Sequence, residues 1–290
     1  MNDNYEQVLL KRLHNRVEDE LSRLGLLFRV FSRSKTEQSI TNKINKKGKG
    51  YYSSQGKKIQ DLYGLRIALY FPDDLKIGQR ALEKSFKLIS KEVDSPDTSL
   101  FEATRCNFVF ELPLDISSES SILSSNPLVD NTFEVQFRTV LSEGWHEVEH
   151  DLRYKCKNDW EKHNDLSRAL NGVFASLETS EWAMMRLFEE ITYRHYKASE
   201  WAPMIRNKFR LRTGNELNAD IENIINVNSL GKEIYRLNRM KFILTILNKN
   251  INIPININTL VYIANYYFLK DERLTSITPK SLRNILKELG

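Results

Sequence analysis

The chain has 290 residues, 41% of them hydrophobic, and a formal net charge of +5. That is enough material for one large domain or for a catalytic domain with an appendage, and the modest positive charge suits an anionic partner. Two cysteines, Cys106 and Cys156, make no disulfide framework, and no apolar run reaches the ~18 residues that a membrane span needs. The opening Met1-Asn2-Asp3-Asn4 lacks the basic-then-apolar pattern of a secretory signal, so a cytoplasmic protein without membrane contact is expected. The charge is uneven: from Trp201 onward there are 14 Lys and Arg against 7 Asp and Glu, with 29 against 31 before it. This asymmetry divides the chain into residues 1–200 and a basic appendage over 201–290.

In chain order, Val8, Leu9, Leu13, Val17, Leu21 and Leu24 recur at helical spacing and predict a helix over 5–27 that closes near Gly25. Ser34 and Glu37 have capping-box spacing, which starts a second helix there. Lys35, Ser39 and Lys43 then stack four apart on one face, with Arg33 just outside the first turn. A helix start with free N–H groups, two ammonium groups and a hydroxyl makes a polyphosphate cradle; a solvated basic face has the same pattern. Residues 44–58, rich in lysine and glycine, read as a mobile basic loop. The apolar run Leu65–Phe71 predicts a buried strand, with Asp61 just before it and Arg66 among its first residues.

Residues 74–92 read as a surface helix, 94–99 as a loop, 106–113 as a strand and the Ser/Asn/Asp-rich stretch 115–131 as a loop. Next comes Phe133-Glu134-Val135-Gln136-Phe137-Arg138-Thr139. Alternation puts Glu134, Gln136 and Arg138 on one face and Phe133, Val135 and Phe137 on the other. A helix follows through Trp145, His146, His150, Arg153, Tyr154 and Lys155. Apolar periodicity from Trp160 to Ile191 predicts one or two long core helices, and the tail reads as helices near 216–227, 229–248, 258–268 and 279–289.

Three motifs in order, R-x-K-x-x-x-S-x-x-x-K (Arg33 to Lys43), D-x-x-G-x-R (Asp61 to Arg66) and E-V-Q-x-R-T with its downstream Trp and R-Y-K (Glu134 to Lys155), resemble the RelA/SpoT-type nucleotide pyrophosphokinases. The resemblance spans roughly 28–160. It implies a mixed α/β, nucleotidyltransferase-like domain, a mixed sheet flanked by helices, with an all-helical C-terminal appendage. It implies transfer of the β,γ-pyrophosphate of ATP to a ribose 3′-hydroxyl of GDP or GTP, giving (p)ppGpp, the alarmone of the stringent response. In family terms Asp61 and Glu134 hold Mg²⁺ and Glu134 is the general base. Lys35, Ser39 and Lys43 hold phosphates, and Arg33 and Arg66 sandwich adenine. Gln136, Arg138, His150 and Lys155 line the acceptor side.

The stretch Phe101–Phe108 departs from the family pattern, since it lacks the Gly-Tyr pair and the His that precede the Glu134 strand in relatives; Phe101 and Phe108 are its available rings. Two alternatives therefore stay open. One is a toxin-like or defence-associated pyrophosphokinase of a toxin–antitoxin pair acting on tRNA 3′ ends, for which the basic tail would supply RNA or protein contacts. The other is a degenerate nucleotide-binding or interaction module. A homo-oligomer is left open. His146-Glu147-Val148-Glu149-His150 is formally H-E-x-x-H, with His163 as a third candidate zinc ligand; it reads as chance beside the synthetase pattern.

Overall fold

The structure, a computed structural model, describes residues 2–48, 50–93, 106–227 and 229–289. Among these the chain forms two compact units, one of residues 1–20 with 28–179, the other of 21–27 with 180–290. The division falls inside one long helix, between Thr179 and Ser180.

The first unit is built on a mixed five-stranded sheet: β1 (Phe28–Ser34), β2 (Tyr63–Leu69), β3 (Leu88–Val93), β4 (Cys106–Glu111) and β5 (Thr132–Thr139), in the order β1-β2-β5-β4-β3. Only β2 and β5 run parallel. The predicted strands at 65–71, 106–113 and 133–139 are β2, β4 and β5 with slightly shifted ends. Alternation gives the sheet two unlike faces. Tyr63, Leu65, Ile67, Phe108, Phe110, Phe133, Val135 and Phe137 are buried on one. Their rings interlock, Phe133 lying 5.5 Å from Phe110 and 5.2 Å from Phe86, and Phe137 5.3 Å from Phe108. Phe108 is therefore a core ring and not a stacking ring for a substrate. Phe101 lies outside the described residues, as do the predicted loop at 94–99 and most of the departing segment.

Helix α1 (Asn2–Arg23) buries Leu9, Leu13 and Val17, while Val8 stays exposed. Gly25, at φ +70°, takes the left-handed position past its end, and Leu26 N–H returns to the carbonyl of Leu21. α1 also carries a buried carboxylate. Glu6 accepts hydrogen bonds from the Tyr63 hydroxyl, from Ser120 Oγ at 3.0 Å, from Ser121 Oγ at 3.2 Å and from Ile122 N–H at 3.3 Å. One side chain thus ties α1 to the start of β2 and to α5 (Ser121–Ser125), which follows the short α4 (Leu114–Ser117). The stretch 115–131 is thus no plain loop: Ser120 Oγ caps α5 by accepting from Leu123 N–H.

Three further expectations change. Residues 28–34 form β1, so Ser34 lies in the ladder opposite Tyr63 and the cap of α2 (Glu37–Lys47) is Thr36, whose Oγ1 accepts from Ser39 N–H. Lys35 therefore precedes the helix and does not stack on its face. The helix predicted over 74–92 ends at Ser85 as α3 (Leu75–Ser85), and the rest becomes the exposed edge strand β3. After β5 the chain forms α6 (Val140–Glu149), one π-helical turn over His150–Tyr154, α7 (Lys157–Trp160) and α8 (Asn164–Lys197).

The second unit is helical: α9 (Trp201–Phe209), α10 (Ala219–Val227), α11 (Leu230–Arg236), α12 (Arg239–Asn248), α13 (Ile257–Ala264) with a π-helical extension to Leu269, α14 (Glu272–Ile277) and α15 (Lys280–Glu288). The helix predicted over 229–248 is broken between Arg236 and Arg239, and α9 and α14 add to the predicted set. Gly231 packs so closely on Trp201 that a Cβ there would stand 2.3 Å from the indole. Among the described residues, no helix is long and apolar enough to cross a membrane.

Glu6→Ala leaves the buried Tyr63 hydroxyl and Ser120 without their acceptor. It should cost about 1–3 kcal/mol of unfolding free energy in urea titration, with the folded-state circular dichroism unchanged.

Candidate active site

The second face of the sheet carries the chemistry, and strand register assembles it. Phe31 stands opposite Arg66 and Arg33 opposite Gly64 across the β1–β2 pair. Gly64 neighbours Glu134, Arg66 neighbours Gln136 and Ala68 neighbours Arg138 across the parallel β2–β5 pair. On the next strand Gln136 faces Asn107 and Glu134 faces Val109. Arg33, Arg66, Glu134, Gln136 and Arg138 thus share one surface. The missing side chain at Gly64 leaves room for Arg33, whose Nε would lie 3.6 Å from a Cβ at that position. Arg33 is exposed and, among the described residues, makes no ion pair.

Asp61 reaches this surface from the segment leading into β2. Ile59 N–H donates to Leu128 O at 2.9 Å, Asp130 N–H to Ile59 O at 2.8 Å and Thr132 Oγ1 to Gln60 O at 3.0 Å. These bonds zip 59–60 to the entry of β5. Asp61 and Glu134 consequently line one small cavity of about 50 Å³, together with Arg33, Arg66 and Gln136. Asp61 is paired with two lysines: Lys43 Nζ lies 2.9 Å from its Oδ1 and Lys35 Nζ 3.2 Å from its Oδ2. Burial alone would raise its carboxyl. The hydrogen bond from Lys43 and the charges of Lys35 and Lys43 outweigh that and hold it below the usual carboxylate range. Among the described residues Glu134 accepts one hydrogen bond, long at 3.3 Å, from Gln136 Nε2.

Two larger cavities adjoin this centre. One, about 380 Å³, is lined by Arg33, Arg66, Gln136, Arg138, His150 and Tyr154, among others. The other, about 370 Å³, opens on the opposite flank of the two carboxylates, where Lys43 and the loop 51–58 meet β3 and β4. Ser39 and Lys155 line neither. The Ser39 hydroxyl accepts from Thr36 Oγ1 at 3.0 Å, and exposed Lys155 pairs with Asp151 at 2.6 Å. The π turn brings His150 and Tyr154 into register, their rings parallel to within 11° and 5.7 Å apart.

Sequence reasoning gave no role to Glu143, which organises the arginines. It is buried and accepts from Arg66 Nη1 at 2.7 Å and from Arg138 Nη1 at 2.9 Å. Glu147 also pairs with Arg66. Both carboxylates sit in the motif between Thr139 and His150, but only the fold shows which cations they meet. Trp145 and Arg153 are structural: Trp145 Nε1 donates to Leu170 O at 3.1 Å, and Arg153 spans to Ser167 and Asn171. His146 is enclosed beside Trp145 and Phe174. Burial, reinforced by the charges of Arg138, Arg66 and His150, pushes its imidazole down to about 3. Glu147, the base that H-E-x-x-H would require, is committed to Arg66. Among the described residues no group of three or more His, Cys, Asp or Glu is placed to hold a metal ion.

Residues 32–159 match the family described as the region found in RelA / SpoT proteins. The chain carries a RelA/SpoT-type domain. The match encloses every residue of the shared sheet surface from Arg33 to Arg138. GTP pyrophosphokinase YwaC of Bacillus subtilis (strain 168) is 25% identical over 133 residues, which are 44% of this chain and 59% of that protein; the alignment thus spans less than two thirds of that curated relative. Small alarmone synthetase 1 from Bacillus subtilis, solved with its product pppGpp, superposes with a TM-score of 0.50 at 19% identity, covering 64% of this chain and 94% of that one. A GTP pyrophosphokinase family protein from Streptococcus pneumoniae gives 0.48 at 21% identity over 66% and 90%. The superposition on small alarmone synthetase 1 shows a shared fold, a mixed sheet flanked by helices.

Because the Asp61 carboxyl is held low in the fold, its ionised form adds stability that is complete above the unfolded-state value and disappears as pH falls through the folded-state value. The stability gap between the wild type and Asp61→Asn should be largest at neutral pH and close in acid, followed by denaturant unfolding across the pH range. The His146 imidazole should stay neutral through the region near 6.5 where an ordinary histidine titrates, read from its ring carbon shifts by NMR.

Proposed function

We propose that this protein is an ATP-dependent nucleotide pyrophosphokinase that transfers the β,γ-pyrophosphate of ATP to the ribose 3′-hydroxyl of a guanine nucleotide. The observation that carries this reading is the convergence of Asp61 and Glu134 on one cavity between an arginine pair and a lysine pair. Transfer of this kind needs positioning and charge neutralisation more than a protein nucleophile. That the named relatives are GTP pyrophosphokinases and alarmone synthetases favours the same chemistry.

In this reading Arg33 is free to lie against the adenine face, and Glu143 holds Arg66 on the surface that Arg33 shares. Lys35 and Lys43 turn from Asp61 to the phosphates as the triphosphate enters, an exchange of one anion for another. Glu134, which makes no ion pair with a side chain among the described residues, accepts the proton of the 3′-hydroxyl as that oxygen bonds to the β-phosphorus of ATP. The bond from the β-phosphorus to the oxygen shared with the α-phosphate breaks, and AMP leaves. Asp61 and Glu134 fit a magnesium ion, since Mg²⁺ typically takes one or two carboxylates and completes its shell with phosphate and water; when bound it supplies charge neutralisation across the triphosphate.

The test is incubation with γ-labelled ATP and Mg²⁺, with GDP, GTP or bulk tRNA as acceptor, followed by resolution of the products. Label on GDP or GTP with AMP release is the expected result. Label on tRNA alone would mean the toxin-like acceptor, and no transfer to either would overturn the reading. Glu134→Gln should lower kcat by about 10²–10⁴-fold with the melting profile unchanged.

A further inference from the structure

Arg66 stands between open spaces. It lines the small cavity of Asp61 and Glu134 and the 380 Å³ cavity of Arg138 and His150. It also lines a third cavity, about 280 Å³, whose apolar wall is Phe31, Ala68, Val140 and Gly144. Packing therefore does not fix the guanidinium, because a long side chain bordered by three cavities has more than one place to go. What holds it is charge. Arg66 Nη1 donates to Glu143 Oε1 at 2.7 Å and also to Glu147. These two carboxylates lie four residues apart on α6, on one face of that helix. Glu143 Oε2 in turn accepts from Arg138 Nη1 at 2.9 Å.

The charges of Arg66, Arg138, Glu143 and Glu147 sum to zero. His146, on the same helix, adds no third cation, since burial and the neighbouring arginines keep its imidazole neutral. That balance has a chemical consequence. A guanidinium without a counter-ion, in a cavity that receives a polyanion, pairs with phosphate, its strongest available partner. A guanidinium that already holds two carboxylates gains little from another anion. Its π face stays open to an aromatic ring, which brings no net charge. Lys35 and Lys43 differ in kind: both hold the single carboxylate of Asp61, and both are amines on flexible stems. The polar face thus carries one guanidinium tied down by two acids and two ammonium groups sharing one acid.

We propose that Glu143 and Glu147 are positioning residues that act through Arg66: they withhold its guanidinium from phosphate and keep it for a nucleobase, so that the triphosphate is left to Lys35 and Lys43 and the donor binds in one direction. This deepens the pyrophosphokinase reading and rests on its assignment of the donor. It also gives Glu147, the glutamate of the formal H-E-x-x-H, a role that needs no metal.

The test compares the affinities of the full chain for ATP and for inorganic tripolyphosphate, by calorimetry without acceptor. Both ligands are polyanions, so removing one negative charge from the protein shifts both alike, and their ratio reports the base. Glu143→Gln leaves two half-buried guanidinium groups short of a charge and risks the fold. Glu147 is exposed, so Glu147→Gln carries the test. The wild type should prefer ATP, and Glu147→Gln should lower that preference about threefold, the scale of an exposed ion pair. Arg66→Ala should lower it about tenfold, and adding Glu147→Gln to Arg66→Ala should change it no further. A wild type that does not prefer ATP, a ratio unchanged in Glu147→Gln, or an equal further loss in the double variant overturns the proposal. A chain that shows the expected ratios and transfers nothing keeps the positioning pair and overturns the activity. A chain that transfers pyrophosphate with the ratio unchanged in Glu147→Gln does the reverse.

Discussion

The parallel pairing of β2 with β5 is the constraint on which the site depends. Parallel strands cannot be joined by a tight turn, so β2 and β5 meet only after the chain has made α3, β3 and β4 between them. Once they meet, the register is fixed by the buried row Tyr63, Leu65, Ile67 against Phe133, Val135, Phe137. A slip of one residue would turn that row to solvent. The same register sets Gly64 beside Glu134 and Arg66 beside Gln136. Hydrophobic burial on one face thus specifies chemical placement on the other, and the polar side chains need little attraction of their own to stay assembled.

Charge is balanced locally across that polar face. Lys35 and Lys43 neutralise Asp61, and Glu143 neutralises Arg66 and Arg138. Each half-buried ion has a partner, as the low polarisability of such a site requires. The two sets differ in permanence. Glu143 is buried and bonded to both guanidinium groups, so it serves as a fixed strut. The lysines are long, flexible and partly exposed, and a triphosphate carries more charge than the carboxylate they hold. Arg33 and Glu134 are the exceptions, a cation and an anion without an ionic partner among the described residues, and both sit on the cavity shared with Asp61.

What could be read from the chain follows from what is local. Period-two alternation gave β5 and its two faces, and the apolar run gave β2. β1 was hidden because Ser34 and Glu37 imitate a capping box; Ser34 is instead committed to the ladder and Thr36 caps the helix. β3 was hidden because an edge strand rich in Lys, Ser and Glu buries almost nothing and shows no period. The motifs named Asp61, Glu134, Arg33 and Arg66, and the fold brings them to one cavity. Pairings across long separations were not legible: Lys43 with Asp61, Glu143 with Arg66, Glu6 with Tyr63 and Ser120. Phe108 looked available as a ring because nothing in its neighbours says which face of β4 is buried.

The second unit is discontinuous in sequence, since it takes in residues 21–27 as well as everything from Ser180 onward. Its first contribution leaves the ribosome early, and the rest arrives only after the whole sheet has been synthesised. The turn after α1, with Gly25 in its left-handed conformation, must therefore wait unpartnered while the polar face of the sheet is already able to form. No single cut separates the two units cleanly: a fragment beginning at Ser180 lacks one of its own walls, and one ending at Thr179 carries an orphaned apolar segment, Leu21 to Leu27, near its start.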